Sequence, residues 1–374
     1  MGDTRQFEHA MLREIYEQPG ALRETIAHYV EEGRLRADVF APAGEMLRER
    51  RDVVIAASGS SRHAGLAAEI WLEDFAGLSV DVEYASEYIC RSTNTKRNPA
   101  IMVISQSGQT ADTLAALREA VRRGHPTLAI TNVEHSTMAQ EATVSLPTWA
   151  GVEKAIPATK SFTAQLLVAY LLALYVAQIR QTMPEKEILE RVAAVEALPA
   201  LIEMQLAAWE TAVALLAKKY ADAETFLYLG RGIHYAIARE GALKLKESSY
   251  VHAEGYPAGE LKHGPNALVS YETPLIVLAT VDANDDESAL RYEKTAQLLE
   301  DMQKQGARVL AICNDGDVHI AALATDVVQV QPCGEYLLPL EEVVPLQMFA
   351  YFVAGEHGVD VDRPRNLVKA VVTE

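Results

Sequence analysis

The sequence has few cysteines and fewer basic than acidic residues, and each shortage excludes a class of protein. Cys90, Cys313 and Cys333 are the three cysteines, and no Cys-x-x-Cys pair occurs, so we predict neither a disulfide framework nor a zinc site. Lys and Arg number 34 against 52 Asp and Glu, which gives a net charge of −18 at pH 7. That balance argues against nucleic acid and anionic membranes as partners.

Long hydrophobic runs and targeting signals are also scarce. Residues 1–6 are polar and charged, which does not fit a secretory signal peptide. The longest apolar run, residues 164–179, is interrupted by Gln165, Tyr170 and Gln178. Such a run falls short of the ~20 apolar residues that span a bilayer. We therefore predict a buried core helix there, and a reduced, cytoplasmic location for the protein.

The apolar content of the chain is sufficient for more than one core. Of the 374 residues, 49% are hydrophobic and 23% are charged, which is typical of a globular protein. A chain of this length predicts two domains of about 150–180 residues each. We predict five segments: a helical arm at 1–34, a first domain at 35–180, a helical connector at 181–218, a second domain at 219–355 and a tail at 356–374. Within the arm, we expect Pro19-Gly20 to separate two helices.

Strand-like and helix-like segments alternate along the first domain. The predicted strands lie at 52–57, 80–84, 101–104, 127–131 and 144–147. This alternation predicts an α/β fold, in which a parallel sheet has helices on both faces. Ligands of such sheets bind at the carboxyl ends of the strands, where the hydroxyl-rich turns at 58–61 and 105–110 are expected.

The second half of the chain repeats the plan of the first. Its predicted strands lie at 226–229, 274–279 and 310–314, and the last of them resembles residues 128–132. The offset between the halves is between ~170 and ~180 residues, as in a duplicated domain with loop insertions. The second copy has no hydroxyl-rich turn after its central strand. We therefore predict one fold in two copies, with different chemistry in each.

The turn after the central strand of the first domain is the best candidate for a ligand site. Residues 105–110, Ser-Gln-Ser-Gly-Gln-Thr, lead into a helix-forming run from Ala111. Backbone amides and the helix dipole favour an anion at such a turn. Ser105, Ser107 and Thr110 add hydroxyl groups without the lysine of a nucleotide P-loop. These features predict a phosphate site; the alternative is that a hydroxyl only caps the helix.

A stripe of charged residues in the second domain is a candidate for proton transfer. Glu240, Lys244 and Glu247 are spaced i, i+4, i+7 and share one face of a predicted helix. The alternative is a solvated face of weak ion pairs. Downstream, His263 is held between Gly and Pro residues, although a lone histidine is more often structural. A carboxylate and an imidazole on rigid turns suit proton transfer between adjacent carbons and the opening of a sugar ring.

The tail contains one lysine, Lys369, among apolar neighbours. The ordinary interpretation of such a segment is a frayed terminus. The alternative is an amine that forms a Schiff base with a carbonyl carbon or polarises its oxygen.

Several long motifs occur together in this order along nearly the whole chain. They are Ser-Gln-Ser-Gly-Gln-Thr at 105–110, Ala-Thr-Lys-Ser-Phe at 158–162, Leu-Gly-Arg-Gly at 229–232, Glu-Gly-Ala-Leu-Lys-Leu-Lys-Glu at 240–247 and Gly-Glu-Leu-Lys-His-Gly-Pro at 259–265. In these motifs the chain resembles the isomerase part of glucosamine-6-phosphate synthase, which consists of two sugar isomerase (SIS) domains. The resemblance implies two tandem flavodoxin-like three-layer sandwiches.

The resemblance also implies roles for individual residues. The implied substrate-binding residues are Gly59, Ser60, Ser61, Ser105, Gln106, Ser107, Gly108 and Thr110, with the backbone at Ile156 and Val368. Glu247 would move a proton between C1 and C2 of the sugar, with Lys244 beside it. His263 would open the ring from the partner subunit, and Lys369 would engage the C2 carbonyl. We expect a homodimer with a shared site, a phosphorylated amino sugar as ligand, and no metal or organic cofactor.

The chain departs from the synthase pattern at four places. Gly2 stands where the synthase has its glutaminase cysteine, so glutamine is not expected to be the nitrogen donor in this chain. Gln109 replaces a Glu, Ala158 replaces a Ser, and residues 58–61 replace Cys-Gly-Thr-Ser. These changes are similar to stand-alone SIS enzymes, especially glucosamine-6-phosphate deaminases. The loss of a side-chain hydroxyl at Ala158 leaves one sugar contact open.

We therefore predict a deaminase/isomerase that converts glucosamine-6-phosphate and water to fructose-6-phosphate and ammonia. An aldose–ketose isomerase or deglycase is one alternative, and an ammonia-dependent glucosamine-6-phosphate synthase is another. A non-catalytic sugar-phosphate sensor is the third, but no basic recognition helix accompanies the domains.

Overall fold

The computed structural model describes residues 5–91 and 97–372. Residues 1–4, 92–96 and 373–374, and with them the predicted role of Gly2, lie outside this part of the chain. The α-helices are α1 (Ala10–Tyr16), α2 (Gln18–Tyr29), α3 (Ala37–Leu47), α4 (Gly59–Ala76), α5 (Ala85–Cys90), α6 (Ala111–Arg122), α7 (Thr137–Glu141), α8 (Lys160–Arg180), α9 (Glu185–Tyr220), α10 (His234–Ser249), α11 (Asp286–Lys304), α12 (Val318–Leu323) and α13 (Leu338–Glu356). Two 3-10 helices occupy Ala258–His263 and Pro265–Leu268.

The strands are mostly short, buried and parallel. They are β1 (Val30–Glu31), β2 (Arg34–Leu35), β3 (Asp52–Ala57), β4 (Ser79–Tyr84), β5 (Ala100–Ser105), β6 (Thr127–Thr131), β7 (Val144–Pro147), β8 (Thr225–Gly230), β9 (His252–Pro257), β10 (Leu275–Leu278), β11 (Val309–Asn314) and β12 (Asp326–Val330). β1 and β2 form a small antiparallel pair. Every strand predicted from the sequence is present.

The described chain divides into two compact units, each around one five-stranded sheet. The first-sheet unit comprises Gln18–Glu153, Lys160–Pro199 and Ala370–Glu374. The second-sheet unit comprises Met1–Glu17, Lys154–Thr159 and Ala200–Lys369.

The two sheets have the same strand order. It is β4-β3-β5-β6-β7 in the first and β9-β8-β10-β11-β12 in the second, and all neighbouring strands are parallel. All six residues of β5 and of β11 are buried, as expected where helices cover both faces of a parallel sheet. The predicted α/β class with a duplicated parallel sheet is confirmed.

Two local features differ from the sequence prediction. Residues 252–257 were not predicted as a strand, but they form β9, which pairs with β8 at the edge of the second sheet. An edge strand accepts Gly255 and Pro257 because its outer side needs no partner strand. The predicted break at Pro19-Gly20 lies instead at Glu17, since Pro19 fits in the first turn of α2, where its missing amide costs no hydrogen bond.

The longest apolar run forms a core helix, as predicted. Residues Lys160 to Ala177 of α8 are all buried within the first-sheet unit. By length and composition alone, α8 and α9 are both apolar enough to cross a membrane. The most apolar windows of the two helices are 89% and 33% buried, respectively. A buried core helix meets the same test of length and composition.

A buried carboxyl group on α13 makes the stability of the second-sheet unit depend on pH. Glu341 is fully buried; Gln205 Nε2 donates to its Oε2 at 3.0 Å, and its Oε1 has no partner. Burial raises the pKa of Glu341 from 4.5 to about 7. Because the folded-state pKa exceeds the unfolded one, the carboxyl increasingly destabilises the folded protein as the pH rises from 4.5 to about 7.

Glu341→Gln is therefore expected to stabilise the protein at pH 8 but hardly at pH 4. At pH 8 the gain in free energy of unfolding should be about 3 kcal/mol, because the amide stays neutral at both pH values. Urea unfolding at the two pH values measures it, with the exposed Glu356→Gln as control on the same helix. An equal effect of Glu341→Gln at pH 4 and pH 8 would contradict the assignment.

Candidate functional site

The hydroxyl-rich turn follows β5 at the carboxyl edge of the first sheet and leads directly into α6. Ser105 Oγ lies 3.0 Å from Thr110 Oγ1 and accepts the Gly108 amide at 3.1 Å. Ser107 Oγ accepts the Gln109 amide at 3.2 Å. The hydroxyl groups therefore hold the turn in shape. Ser107 and Thr110 are only half-buried, so a ligand has access to them.

The alternative, that Thr110 serves only as a helix cap, does not fit the structure. Thr110 is the N-cap residue of α6, but its side chain makes no capping hydrogen bond. Thr110 Oγ1 lies 3.0 Å from Ser105 Oγ, and the amide of Ala111, the first residue of α6, donates to the carbonyl of Val371 at 2.8 Å. The Thr110 hydroxyl thus remains within the turn.

Gly108 has little space around its α-carbon. Its φ is +62°, and a Cβ at this position would lie 2.1 Å from Ser136 Oγ and 2.8 Å from Thr131 Oγ1. Its carbonyl also accepts the amide of Met138 at 3.1 Å. The turn is therefore packed against the start of α7, and only glycine fits.

Gly108→Ala is expected to weaken binding of inorganic phosphate by about tenfold to a hundredfold, or about 1.4–2.8 kcal/mol. The added Cβ must push the turn away from Ser136 and misalign its amides. Isothermal titration measures the affinity, and thermal melting checks that the variant is folded. Gly124→Ala is the matched control, since φ is +78° there but nothing lies within 4 Å of the new Cβ. If Gly108→Ala bound inorganic phosphate with unchanged affinity, the turn at 105–110 would not be part of the phosphate site.

The second hydroxyl-rich turn begins α4 in the same unit. Ser58 is the N-cap residue, Gly59 has φ +55°, and Ser60 and Ser61 lie in the first helical turn. Ser61 Oγ accepts a hydrogen bond from Gln165 Nε2 of α8 at 3.1 Å. A hydroxyl that accepts in this way keeps its own hydrogen to donate. Ser61 can therefore contact a polar ligand from a fixed position.

The charged stripe of α10 is buried in the second-sheet unit. Lys244 Nζ lies 2.6 Å from Glu247 Oε2 and 3.4 Å from Glu240 Oε1. The side chains of Lys244 and Glu240 are 1% and 0% exposed, whereas that of Glu247 is 22% exposed. The solvated-face alternative is therefore wrong. A buried ammonium group fixes the orientation of a carboxylate that still reaches solvent.

His263 is the last residue of the 3-10 helix Ala258–His263, and its side chain is exposed. Within the part of the chain that the structure describes, no hydrogen bond or ion pair joins it to Glu247 or Lys369. The structure thus brings Lys244 and Glu247 together, and the role of His263 stays a prediction.

The tail lysine is held by a backbone carbonyl of the second-sheet unit. Lys369 Nζ donates to the Ala155 carbonyl at 2.7 Å. The next residue, Ile156, donates its amide to the Asp362 carbonyl at 3.1 Å. Val368 is 61% exposed. Lys369 is therefore not part of a frayed terminus. Its hydrogen bond to Ala155 places it next to the segment that contains Ile156.

Two carboxylates that organise this region were not recognised in the sequence. Glu14 is fully buried, and it accepts the backbone amides of Lys154 and Ala155 at 2.6 and 3.2 Å. Asp362 accepts the first two amides of α1 at 2.7 and 2.8 Å. Together they join α1, the segment 154–156 and the tail around Lys369. An acidic residue within the apolar face of the first helix was the signal that could have indicated Glu14.

Among residues 5–91 and 97–372, no group of three or more His, Cys, Asp or Glu side chains could hold a metal ion.

These features define a class of protein: a duplicated parallel α/β protein with an uncharged, hydroxyl-rich turn in one copy and a buried lysine–carboxylate stripe in the other. The sequence profile of the SIS domain family matches residues 46–175 and 219–355. The chain belongs to the SIS domain family.

The chain is similar to several aminotransferases over nearly its whole length. The isomerizing glutamine–fructose-6-phosphate aminotransferases of Chlorobaculum tepidum and Aquifex aeolicus are each 42% identical to it over 98% of its length. The chain spans 59% and 58% of these two relatives. The resemblance to the isomerase part of this family is confirmed.

Solved structures agree with this membership. The C-terminal domain of glucosamine-fructose-6-phosphate aminotransferase from Francisella tularensis has a TM-score of 0.89 at 32% identity, covering 97% of this chain and 100% of that one. A glucosamine-6-phosphate deaminase from Thermotoga maritima has a TM-score of 0.73 at 24% identity, covering 98% and 100%. The second similarity shows the shared fold alone.

Proposed function

We propose that the chain is an amino-sugar phosphate deaminase/isomerase that converts glucosamine-6-phosphate and water to fructose-6-phosphate and ammonia. The observation that carries the proposal is the buried Lys244, which holds the carboxylate of Glu247 at 2.6 Å while that carboxylate remains partly exposed. This arrangement suits a carboxylate that moves a proton between adjacent carbons. The names of the aminotransferase relatives include fructose-6-phosphate, and this supports a hexose-6-phosphate as the substrate.

In this proposal the turn at 105–110 and Ser61 hold the phosphorylated sugar, and their neutral donors suit a dianion. His263 opens the ring, which exposes the C1 aldehyde of a 2-amino sugar. Glu247 takes the proton from C2 and returns one to C1, which leaves an imine at C2. The amine of Lys369 adds to that imine and releases ammonia. Water then hydrolyses the lysine imine to give the C2 ketone and the free amine.

A homodimer with a shared site is part of the proposal, because His263 is exposed and has no described contact with Glu247 or Lys369. Mixing the inactive variants Glu247→Gln and His263→Asn is then expected to restore about a quarter of the activity, since random dimers combine two intact halves at one site in four. Ammonia release after mixing and refolding the two chains measures it. If each site lay within one chain, mixing would restore nothing.

A second candidate is synthesis in the opposite direction, from fructose-6-phosphate and ammonia. It is favoured by the names of the relatives, which are aminotransferases. A sensor without catalysis fits less well, because a binding domain has no need for a buried ammonium beside a partly exposed carboxylate.

Ammonia release by the purified chain tests the proposal. We expect release from glucosamine-6-phosphate, compared in parallel with galactosamine-6-phosphate, and no release from unphosphorylated glucosamine. Adding ammonium to fructose-6-phosphate tests the synthetic direction. If glucose-6-phosphate and fructose-6-phosphate interconverted without any ammonia release from the amino sugars, an aldose–ketose isomerase would replace the proposed enzyme.

A further inference from the structure

The second sheet has, at its carboxyl edge, a counterpart of the ligand-binding edge of the first. β3 pairs with β5 through Ala56 and Val103, and β8 pairs with β10 through Leu229 and Val277. The helices that follow β3 and β8 are entered through Gly59 and Gly232, both with φ +55°. This register gives each residue of the first site a counterpart in the second-sheet unit.

The counterparts of the first site's residues are members of a buried charged network. Ser61 lies two residues after Gly59, and His234 lies two residues after Gly232, so His234 corresponds to Ser61. Gln106 lies three residues after Val103, and Thr280 lies three residues after Val277, so Thr280 corresponds to Gln106. Both are fully buried, and both contact the carboxylate of Glu342, which is itself fully buried.

His234 is a cation in this network. Its Nδ1 lies 2.7 Å from Glu342 and its Nε2 lies 3.0 Å from Glu335 Oε1. A carboxylate only accepts hydrogen bonds, so both ring nitrogens donate, which requires the imidazolium form. The neighbouring carboxylates accordingly raise the pKa of His234 against the effect of burial.

Glu335 receives the same kind of contacts that a bound anion would receive. Arg291 donates through Nε at 2.8 Å and through Nη2 at 2.5 Å, and Ser288 Oγ donates at 2.6 Å. With His234, these are four donors from two cations and one hydroxyl group. Arg291 is nine-tenths buried, and its Nη1 has no hydrogen-bond partner. Bidentate arginine with a hydroxyl and a second cation is the usual donor set for phosphate and sulfate.

We infer that the second SIS domain contains an anion-binding site that is occupied by the protein's own Glu335 carboxylate. Without that carboxylate, the buried side chains left at the site are the cations Arg291 and His234 and the carboxylate Glu342, while the half-buried Asp282 accepts the backbone amide of residue 335 at 3.3 Å at its edge. The donors released from Glu335 then suit a tetrahedral dianion such as phosphate or sulfate. In the native chain Glu335 closes the site, which leaves the hydroxyl-rich turn of the first domain as the place for a phosphorylated ligand. This inference does not depend on the proposed enzymatic reaction.

Glu335→Ala tests the inference, because it removes the carboxylate and leaves space in its place. Glu335→Gln is the matched control, since the amide fills the space without the charge. Both are made in the Gly108→Ala background, so that phosphate binding at the first turn is weakened and the Gly108→Ala parent measures whatever contribution of that turn remains. We expect phosphate or sulfate, against chloride at equal ionic strength, to raise the melting temperature of Glu335→Ala by about 5 °C. The Gln variant and the parent should change by less than about 1 °C.

A variant that does not fold in chloride is tested by refolding from urea with and without sulfate. Recovery of folded Glu335→Ala in sulfate alone supports the site. Equal behaviour in sulfate and chloride, by melting or by refolding, overturns the inference and leaves Glu335 as a purely structural ion-pair partner. Adding Arg291→Ala to Glu335→Ala should abolish the sulfate effect; a persistent effect would place the anion elsewhere and also overturn it.

Discussion

Glu247→Gln is expected to lower the turnover of glucosamine-6-phosphate by about 10²–10⁴-fold, which is the usual contribution of a general acid–base group. The amide has the same shape as the carboxylate but cannot take up the proton from C2. Lys244 keeps Glu240 as a partner at 3.4 Å, so the buried ammonium is not left without a counter-charge. Binding of the phosphosugar should change by less than about threefold, or about 0.7 kcal/mol, because Glu247 is not part of the phosphate turn.

Three measurements on this variant separate chemistry from binding. Ammonia release gives kcat, titration with fructose-6-phosphate gives Kd, and incorporation of solvent deuterium at C1 of fructose-6-phosphate follows the proton step directly. We expect the first and the third to be lost together while the second is retained. Glu356→Gln, which changes an exposed glutamate at the end of α13, is the control and should retain all three. Near-normal deuterium incorporation in Glu247→Gln would exclude Glu247 from proton transfer.

Lys369→Met should produce a similarly large loss of ammonia release, about 10²-fold or more, for a different reason. Methionine retains an unbranched apolar chain but has no amine to add to the imine at C2. It also removes the contact with the Ala155 carbonyl, a loss of about 1 kcal/mol that is too small to account for the expected effect. The proton step at C1 should persist, because it needs Glu247 and not the amine.

Reductive trapping gives a direct readout of the lysine. In the presence of cyanoborohydride and fructose-6-phosphate, the native protein is expected to gain the mass of one reduced sugar phosphate on Lys369, and Lys369→Met is expected to gain none. Lys294→Met, an exposed lysine on α11, is the control and should be labelled like the native protein. Labelling of a different lysine, or full ammonia release by Lys369→Met, would refute the proposed role of the tail.

Much of the fold follows from local sequence patterns. β5 and β6 are predicted within one residue because short apolar runs bounded by polar turns are characteristic of strands buried on both faces. β9 was missed because Gly255 and Pro257 oppose strand formation locally, and only the neighbouring β8 makes that edge strand favourable. The arm shows the same limit, since Pro19 indicates a break whose exact position depends on the start of α2.

By itself the sequence determined the duplicated α/β plan, the hydroxyl-rich turn and the residue types of the α10 stripe. Spacing along a helix or strand is a local property, and these predictions required nothing more. Only the tertiary structure decided that Lys244 is buried between Glu240 and Glu247, that Glu14 holds the segment beside Lys369, and that Glu335 accepts hydrogen bonds from Arg291 and Ser288. Burial and hydrogen-bond partners depend on which distant segments pack together, and residues as far apart as Glu14 and Ala155 or His234 and Glu335 meet only in the folded chain.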